Sequence, residues 1–126
     1  FLYIKRNFMN QIEIIAALEL IKYYENNWDG NDGIKPNLQS ILLTENITNL
    51  LLENNIYIDE IDADANGGVA IFVKDISVNE LNLNKYCVIF IGNNGTKTIV
   101  GSSNRNVVFS GNFEKDSIEK IIEFLK

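Results

Sequence analysis

One stretch of the sequence decides the fold: Asn27-Trp28-Asp29-Gly30-Asn31-Asp32-Gly33-Ile34-Lys35-Pro36. Its glycines, asparagines, aspartates and proline are typical of an ordered loop, and the only tryptophan of the chain gives that loop an apolar anchor. The stretch therefore predicts a structural corner between two helices. The residues expected to form this corner are Trp28, Asp29, Gly30, Gly33 and Pro36.

The corner residues have expected structural roles. Asp29 is expected to cap loop amides, and Trp28 to fill the space between the helices. One of Gly30 and Gly33 is expected to take a positive φ, which glycine adopts without steric cost. The alternative is a recognition surface in which Trp28 anchors a partner.

Helical periodicity flanks the corner on both sides. Apolar residues recur every three or four residues from Gln11 to Asn26, which predicts a helix over that range. A second helix is predicted from about Pro36, which suits a first turn because it has no N–H, to about Glu53. The residues expected to face the core are Ile14, Ile15, Leu18, Ile21 and Tyr24 in the first helix and Leu38, Ile41, Leu42, Ile47, Leu50 and Leu51 in the second.

From residue 56 onward the pattern is that of β-strands. Residues 56–64 and 68–75 are predicted to form two strands joined at Asn66-Gly67, because both residues of that pair accept the positive φ of a type I′ turn. The most apolar segment, residues 85–92, is predicted as the central strand. The remaining predictions are a polar connection at 77–84, a turn at 93–96, a strand at 97–102, a loop at 103–105 and a fifth strand at 106–110.

The last segment, Lys115 to Lys126, has one apolar helical face and a capping residue at its start, Asp116 or Ser117. Two N-terminal helices, an antiparallel meander of four or five strands and a C-terminal helix together predict an α+β fold with the helices on one face of the sheet. The 126 residues are expected to form one domain. Because Met9 is the only methionine, residues 1–8 are interpreted either as native or as leader or other non-native residues.

The amino-acid composition argues against several classes of function. The chain has 17 acidic and 11 basic residues, a net charge of −6 that argues against nucleic acid and favours a basic protein partner. It has no histidine, which excludes Ser-His and Cys-His catalytic pairs and histidine-containing zinc sites. Its one cysteine, Cys87, lies in an apolar run and is expected to be an inert core thiol, compatible with the cytoplasm. No apolar run reaches the roughly 20 residues that span a bilayer, so no membrane segment is expected.

Two motifs resemble a group of small bacterial proteins that share an "NWDG" loop. Asn27-Trp28-Asp29-Gly30, followed by Gly33 and Pro36, matches the loop, and Asp64-Ala65-Asn66-Gly67-Gly68-Val69 matches the hairpin turn that comes after it. The resemblance covers residues 12–75. The chain departs from the pattern at Ile34, where alanine is more usual, and has no strand tryptophan after the turn. The resemblance implies an intracellular bacterial accessory protein of the kind found beside toxins and mobile elements, and it implies no catalysis.

A row of carboxylates is the candidate binding site. The residues expected to bind a partner are Asp59, Glu60, Asp62, Asp64 and Asp75. Glu60, Asp62 and Asp64 alternate along one predicted strand, about 7 Å apart, and fit the lysines and arginines of a protein partner. The alternatives are a solvated strand face and a divalent-cation site, which needs several oxygen ligands. An EF-hand is excluded because its closing glutamate is missing, and neither a metal nor a cofactor is expected.

The leading hypothesis is a non-enzymatic immunity or antitoxin-type protein that occludes the cationic cleft of a basic bacterial toxin with these carboxylates. The first alternative is a structural or regulatory module that self-associates through a sheet edge, for instance as a homodimer. The second alternative is a metal-dependent hydrolase built on the carboxylate row. Saturable Mg²⁺ or Mn²⁺ binding that disappears in Asp62→Asn would favour the hydrolase.

Overall fold

The computed structural model describes residues 8–74 and 85–125, and these residues form an α+β fold of three helices and five strands. In chain order the elements are α1 (Gln11–Lys22), α2 (Leu38–Glu53), β1 (Ile58–Ala63), β2 (Val69–Lys74), β3 (Lys85–Ile91), β4 (Lys97–Ser103), β5 (Asn106–Asn112) and α3 (Ser117–Leu125). All neighbouring strands are antiparallel and follow the order β1-β2-β3-β4-β5, which confirms the predicted meander and gives it five strands. The connection predicted at 77–84 lies outside the described residues.

The inner face of the sheet carries the hydrophobic core. Residues paired directly across antiparallel strands share a face. The two longest inner rows are Ile61-Ile71-Ile89-Ile99-Gly111 and Ile58-Val73-Cys87-Gly101-Phe109. One apolar cluster joins these rows to buried residues of α1, α2 and α3, so all three described helices pack on this face, as predicted. Cys87 is fully buried in it, and burial raises the pKa of its thiol to about 12.

Both N-terminal helices are shorter than predicted, for local reasons. α1 ends at Lys22 rather than Asn26, and Asn27 takes a left-handed φ of 66° that a helix cannot contain. α2 begins at Leu38 because the side chain of Asn37 accepts the N–H of Gln39 at 2.8 Å and acts as the cap. Pro36 therefore precedes the cap instead of occupying the first turn.

Some residues predicted to face the core are exposed. Ile15, Leu38 and Leu42 keep between 50% and 59% of their surface accessible, whereas Ile14, Leu18 and Ile41 are buried as predicted. The prediction is wrong at these positions because only a narrow stripe of each helix faces the sheet. Adjacent apolar residues, such as Ile14 and Ile15, cannot both lie on that stripe. α1 and its C-terminal cap residue consequently present exposed apolar residues to solvent: Ile12, Ile15 and Leu20 in the helix and Tyr23 at the cap.

The first hairpin does not use the predicted type I′ turn. Only Gly67 of the Asn66-Gly67 pair has a positive φ, 87°, and its N–H donates to the carbonyl of Asp64 at 3.0 Å. Residues 64–67 thus form a four-residue turn whose last residue is a left-handed glycine, another common hairpin connection. The β3–β4 turn repeats it, with Gly95 at a φ of 84°. A turn with two left-handed central residues occurs instead between β4 and β5, at Asn104 and Arg105.

Candidate functional site

Hydrogen bonds within the loop hold the corner. One carboxylate oxygen of Asp29 accepts the N–H groups of Asn31 and Gly33 at 2.9 and 2.8 Å, and these bonds lower the pKa of Asp29. Gly30 takes a φ of 77°. Trp28 is half-buried; its ring stacks on Tyr24 at 5.0 Å and its indole N–H donates to the carbonyl of Ile34 at 3.0 Å. The side chains of Asp29 and Trp28 thus form hydrogen bonds with backbone groups of the loop itself.

The corner packs directly against the first hairpin turn. The N–H of Ile34 donates to the carbonyl of Ala65 at 2.8 Å, and that of Asn37 donates to the carbonyl of Gly67 at 3.2 Å. A side chain at Gly68 would collide with the carbonyl of Ile91. The two motifs that resemble the NWDG-loop proteins are therefore halves of one packed unit, since each contacts the other through the backbone.

The outer face of the sheet differs from a usual solvated face. Its rows are Glu60-Phe72-Val88-Val100-Ser110, Asp62-Ala70-Phe90-Thr98-Asn112 and Lys74-Tyr86-Ser102-Val107. Antiparallel sheets that face water on one side normally carry polar residues there. In this sheet the middle of the outer face is apolar: Ala70 and Val88 are buried at 7% and 6% exposure, Phe72 and Val100 are half-buried, and Phe90 is 38% exposed.

Two carboxylates border this apolar middle on the β1 side. Glu60 and Asp62 are both exposed and lie on the outer face next to Phe72 and Ala70. The negative charge of Asp62 raises the pKa of Glu60; partial burial, a hydrogen bond with Asp62 and the charge of Asp59 act in the same direction. The outer face therefore combines an apolar centre with a concentrated negative charge at one side.

The other predicted binding residues are placed differently. Asp59 pairs with Lys74 at 3.2 Å, and a bulge in β1 between Ile58 and Glu60 shifts it out of the regular alternation. Asp64 lies beyond the end of β1 and its carboxylate accepts the N–H of Asn66 at 2.8 Å. Asp75 lies outside the described residues. The structure thus brings together Glu60 and Asp62, and it gives Asp59 and Asp64 partners within the chain.

In the part of the chain that the structure describes, no group of three or more metal-ligating side chains converges. Among the same residues, no helix has both the length and the apolar character needed to cross a membrane. Comparisons with protein-family models, with curated proteins and with solved structures found no match. The resemblance to the NWDG-loop proteins therefore stays a prediction.

Sequence reasoning missed the apolar outer face. The signal was present in the two central strands, because Val69–Lys74 and Lys85–Ile91 are apolar at successive positions rather than at alternate ones. Continuous apolar strands are typical of sheets covered on both faces. Without the register of the strands, however, the sequence does not show that Phe72, Val88 and Phe90 lie side by side.

Proposed function

We propose that this protein is a non-enzymatic binding protein that holds a basic protein partner against the outer face of its sheet. The observation that carries the proposal is the composition of that face: an apolar centre of Phe72, Val88 and Phe90 beside the carboxylates of Glu60 and Asp62. Protein interfaces combine an apolar, often aromatic core with a polar rim in this way. Of these three apolar residues Phe90 is exposed, Phe72 is half-buried and Val88 is buried, so a partner would contact Phe90 most.

The charges favour a cationic partner. Glu60 and Asp62 repel each other, as the raised pKa of Glu60 indicates. A lysine or arginine placed between them would remove that repulsion and form charge-assisted hydrogen bonds. Complementary charge also accelerates encounter, which suits a protein that must reach its partner quickly.

Within this class we favour an immunity or antitoxin-type inhibitor acting in the cytoplasm by occlusion of a basic toxin. The support comes from the sequence: a small acidic chain, no histidine for the commonest catalytic pairs, and the resemblance to bacterial accessory proteins found beside toxins. The outer face adds a surface suited to covering a cleft. The proposed binding residues are therefore Glu60 and Asp62; Asp59 and Asp64 have partners within the chain, and Asp75 lies outside the described residues.

The test is a comparison of purified baits in a lysate of the native host. Wild type, Glu60→Lys/Asp62→Lys and a matched control, Glu45→Lys/Glu53→Lys, are immobilised at equal density at low and at moderate salt. The control makes the same charge change on exposed positions of α2. We expect wild type and control to retain the same stoichiometric basic protein, more weakly as salt rises, and the β1 variant to lose it.

The captured protein is then expressed with and without the inhibitor. Growth arrest that wild type relieves, and that the β1 variant does not, identifies the partner as a toxin neutralised through this face. Capture that survives charge reversal at Glu60 and Asp62 unchanged contradicts the proposed mechanism.

A further inference from the structure

The two edges of the sheet differ in how they are protected against pairing with another strand. Edge strands of monomeric proteins usually carry charges, proline or a covering segment. β1 has three acidic residues among six, and Met9 bridges its free edge by donating an N–H to the carbonyl of Ile58 at 2.9 Å. Another strand that approached β1 would meet both that segment and a concentrated negative charge.

Among the described residues β5 has none of these three protections, although it carries a bulge at Val108. It pairs with β4 alone among the described residues, and its seven residues include no charged side chain and no proline. Val107 and Val108 are 65% and 58% exposed. Alternate residues of an antiparallel strand direct their N–H and C=O groups to one side, so about half of the backbone groups of β5 point away from β4, and no described strand pairs with them.

The charges that flank β5 complement each other. Arg105 precedes the strand, and Glu114, Lys115 and Asp116 follow it with a net charge of −1. Two copies of β5 placed side by side in antiparallel orientation bring the beginning of each strand to the end of the other. Arg105 of one copy then lies near Glu114 of the second copy, and the two-fold symmetry repeats the contact. Parallel placement would instead bring like charges together.

We infer that a second copy of this chain pairs with β5, edge to edge and antiparallel, to form a homodimer with one continuous sheet. The register of β5 with β4 skips Val108, and regular pairs lie on both sides of this bulge, so both halves of the strand have the backbone geometry of a strand. A two-fold axis perpendicular to the sheet keeps both outer faces on the same side. The dimer would therefore present two outer faces side by side, although the inference does not depend on what those faces bind.

The test measures molecular mass by sedimentation over about a hundredfold range of protein concentration, because a dimer is populated according to mass action. Wild type is expected to approach twice the chain mass as concentration rises. Val108→Lys places a lysine on the open edge and should shift the protein to monomer. Ile12→Lys is the matched control: it replaces an apolar residue that is 78% exposed on α1 and should leave the dimer intact. A wild type that stays monomeric throughout, or an equal effect of both variants, overturns the inference.

A charge exchange tests the antiparallel arrangement. Arg105→Glu and Glu114→Arg should each weaken the dimer, and the double variant should recover the association because the pairs are restored with reversed sign. Absence of recovery overturns the antiparallel pairing. The outcome is independent of the proposed function, since Val108→Lys should still capture the basic partner and Glu60→Lys/Asp62→Lys should still dimerise.

Discussion

At the scale of single residues, Gly33 is the position with least room in the corner. A Cβ at Gly33 would lie 2.6 Å from a carboxylate oxygen of Asp29, which is held by the N–H groups of Asn31 and Gly33 itself. Gly33→Ala must displace that carboxylate, and we expect it to lower the free energy of unfolding by about 1–2 kcal/mol. Gly111→Ala is the control, because a Cβ there meets no atom within 4 Å. Urea unfolding that gives equal values for both variants would contradict this account of the corner.

The carboxylate of Asp29 also makes the corner sensitive to acid. Its backbone hydrogen bonds lower its pKa in the folded state, so the ionised form stabilises the fold above the unfolded-state pKa, near 3.8. That contribution is lost as the pH falls through the folded-state pKa. Asp29→Asn keeps the shape without the charge, and we expect lower stability at neutral pH and a smaller loss on acidification. Parallel stability curves for wild type and variant between neutral and acidic pH would refute the role assigned to this charge.

Glu60 should show the opposite dependence on pH. Asp62 raises its pKa in the folded state, so the folded protein holds the proton more tightly than the unfolded chain. Stability is therefore lost as the pH rises from the unfolded-state value, near 4.5, through the raised folded-state value. Glu60→Gln should give a small gain in stability at neutral pH, within the range of a surface charge pair, that vanishes below the unfolded-state pKa. A loss of stability at neutral pH in chemical unfolding would exclude the proposed repulsion.

At the scale of elements, α1 offers a direct comparison between neighbouring residues. Ile14 is 3% exposed and packs in the inner core, whereas Ile15 is 50% exposed. We expect Ile14→Ala to cost about 2–4 kcal/mol, and Ile15→Ala to change stability by less than about 1 kcal/mol because little apolar surface is lost and alanine favours helix. Similar costs in urea unfolding would mean that the exposed side of α1 is covered in solution.

The elements themselves were largely predictable, and their ends were not. Period 3.6 located the helices and alternation located β1, because each period reflects a different backbone geometry, whereas β3 was located by its continuous apolar run. The ends depend on single side chains: Asn37 caps α2, and Asp116 rather than Ser117 accepts the first backbone bond of α3 through its carbonyl. The turn at Asn66-Gly67 was predicted at the right place and with the wrong geometry, since Asp64 also contributes a side-chain bond that favours the longer turn.

At the scale of the whole molecule, the carboxylates could be chosen from the sequence but their surroundings could not. Alternation predicted that Glu60 and Asp62 share a face, and the register of β1 with β2 places them beside Phe72 and Ala70. Which residues of two strands lie opposite each other depends on contacts between distant parts of the chain, and a single sequence does not reveal it. The bulge that removes Asp59 from the alternation could not be predicted from the sequence for the same reason.

The outer face is proposed to bind a basic protein through the charges of Glu60 and Asp62 and through its apolar centre. The most direct measurement is the association kinetics of the purified captured partner at several ionic strengths. We predict an association rate constant that falls as the salt concentration rises and that is at least about tenfold lower in Glu60→Lys/Asp62→Lys. Phe90→Ser is expected mainly to raise the dissociation rate constant. The control Glu45→Lys/Glu53→Lys is expected to change both rate constants by less than these variants do. Rate constants that change neither with salt concentration nor on charge reversal at Glu60 and Asp62 would contradict binding of a basic protein by the outer face.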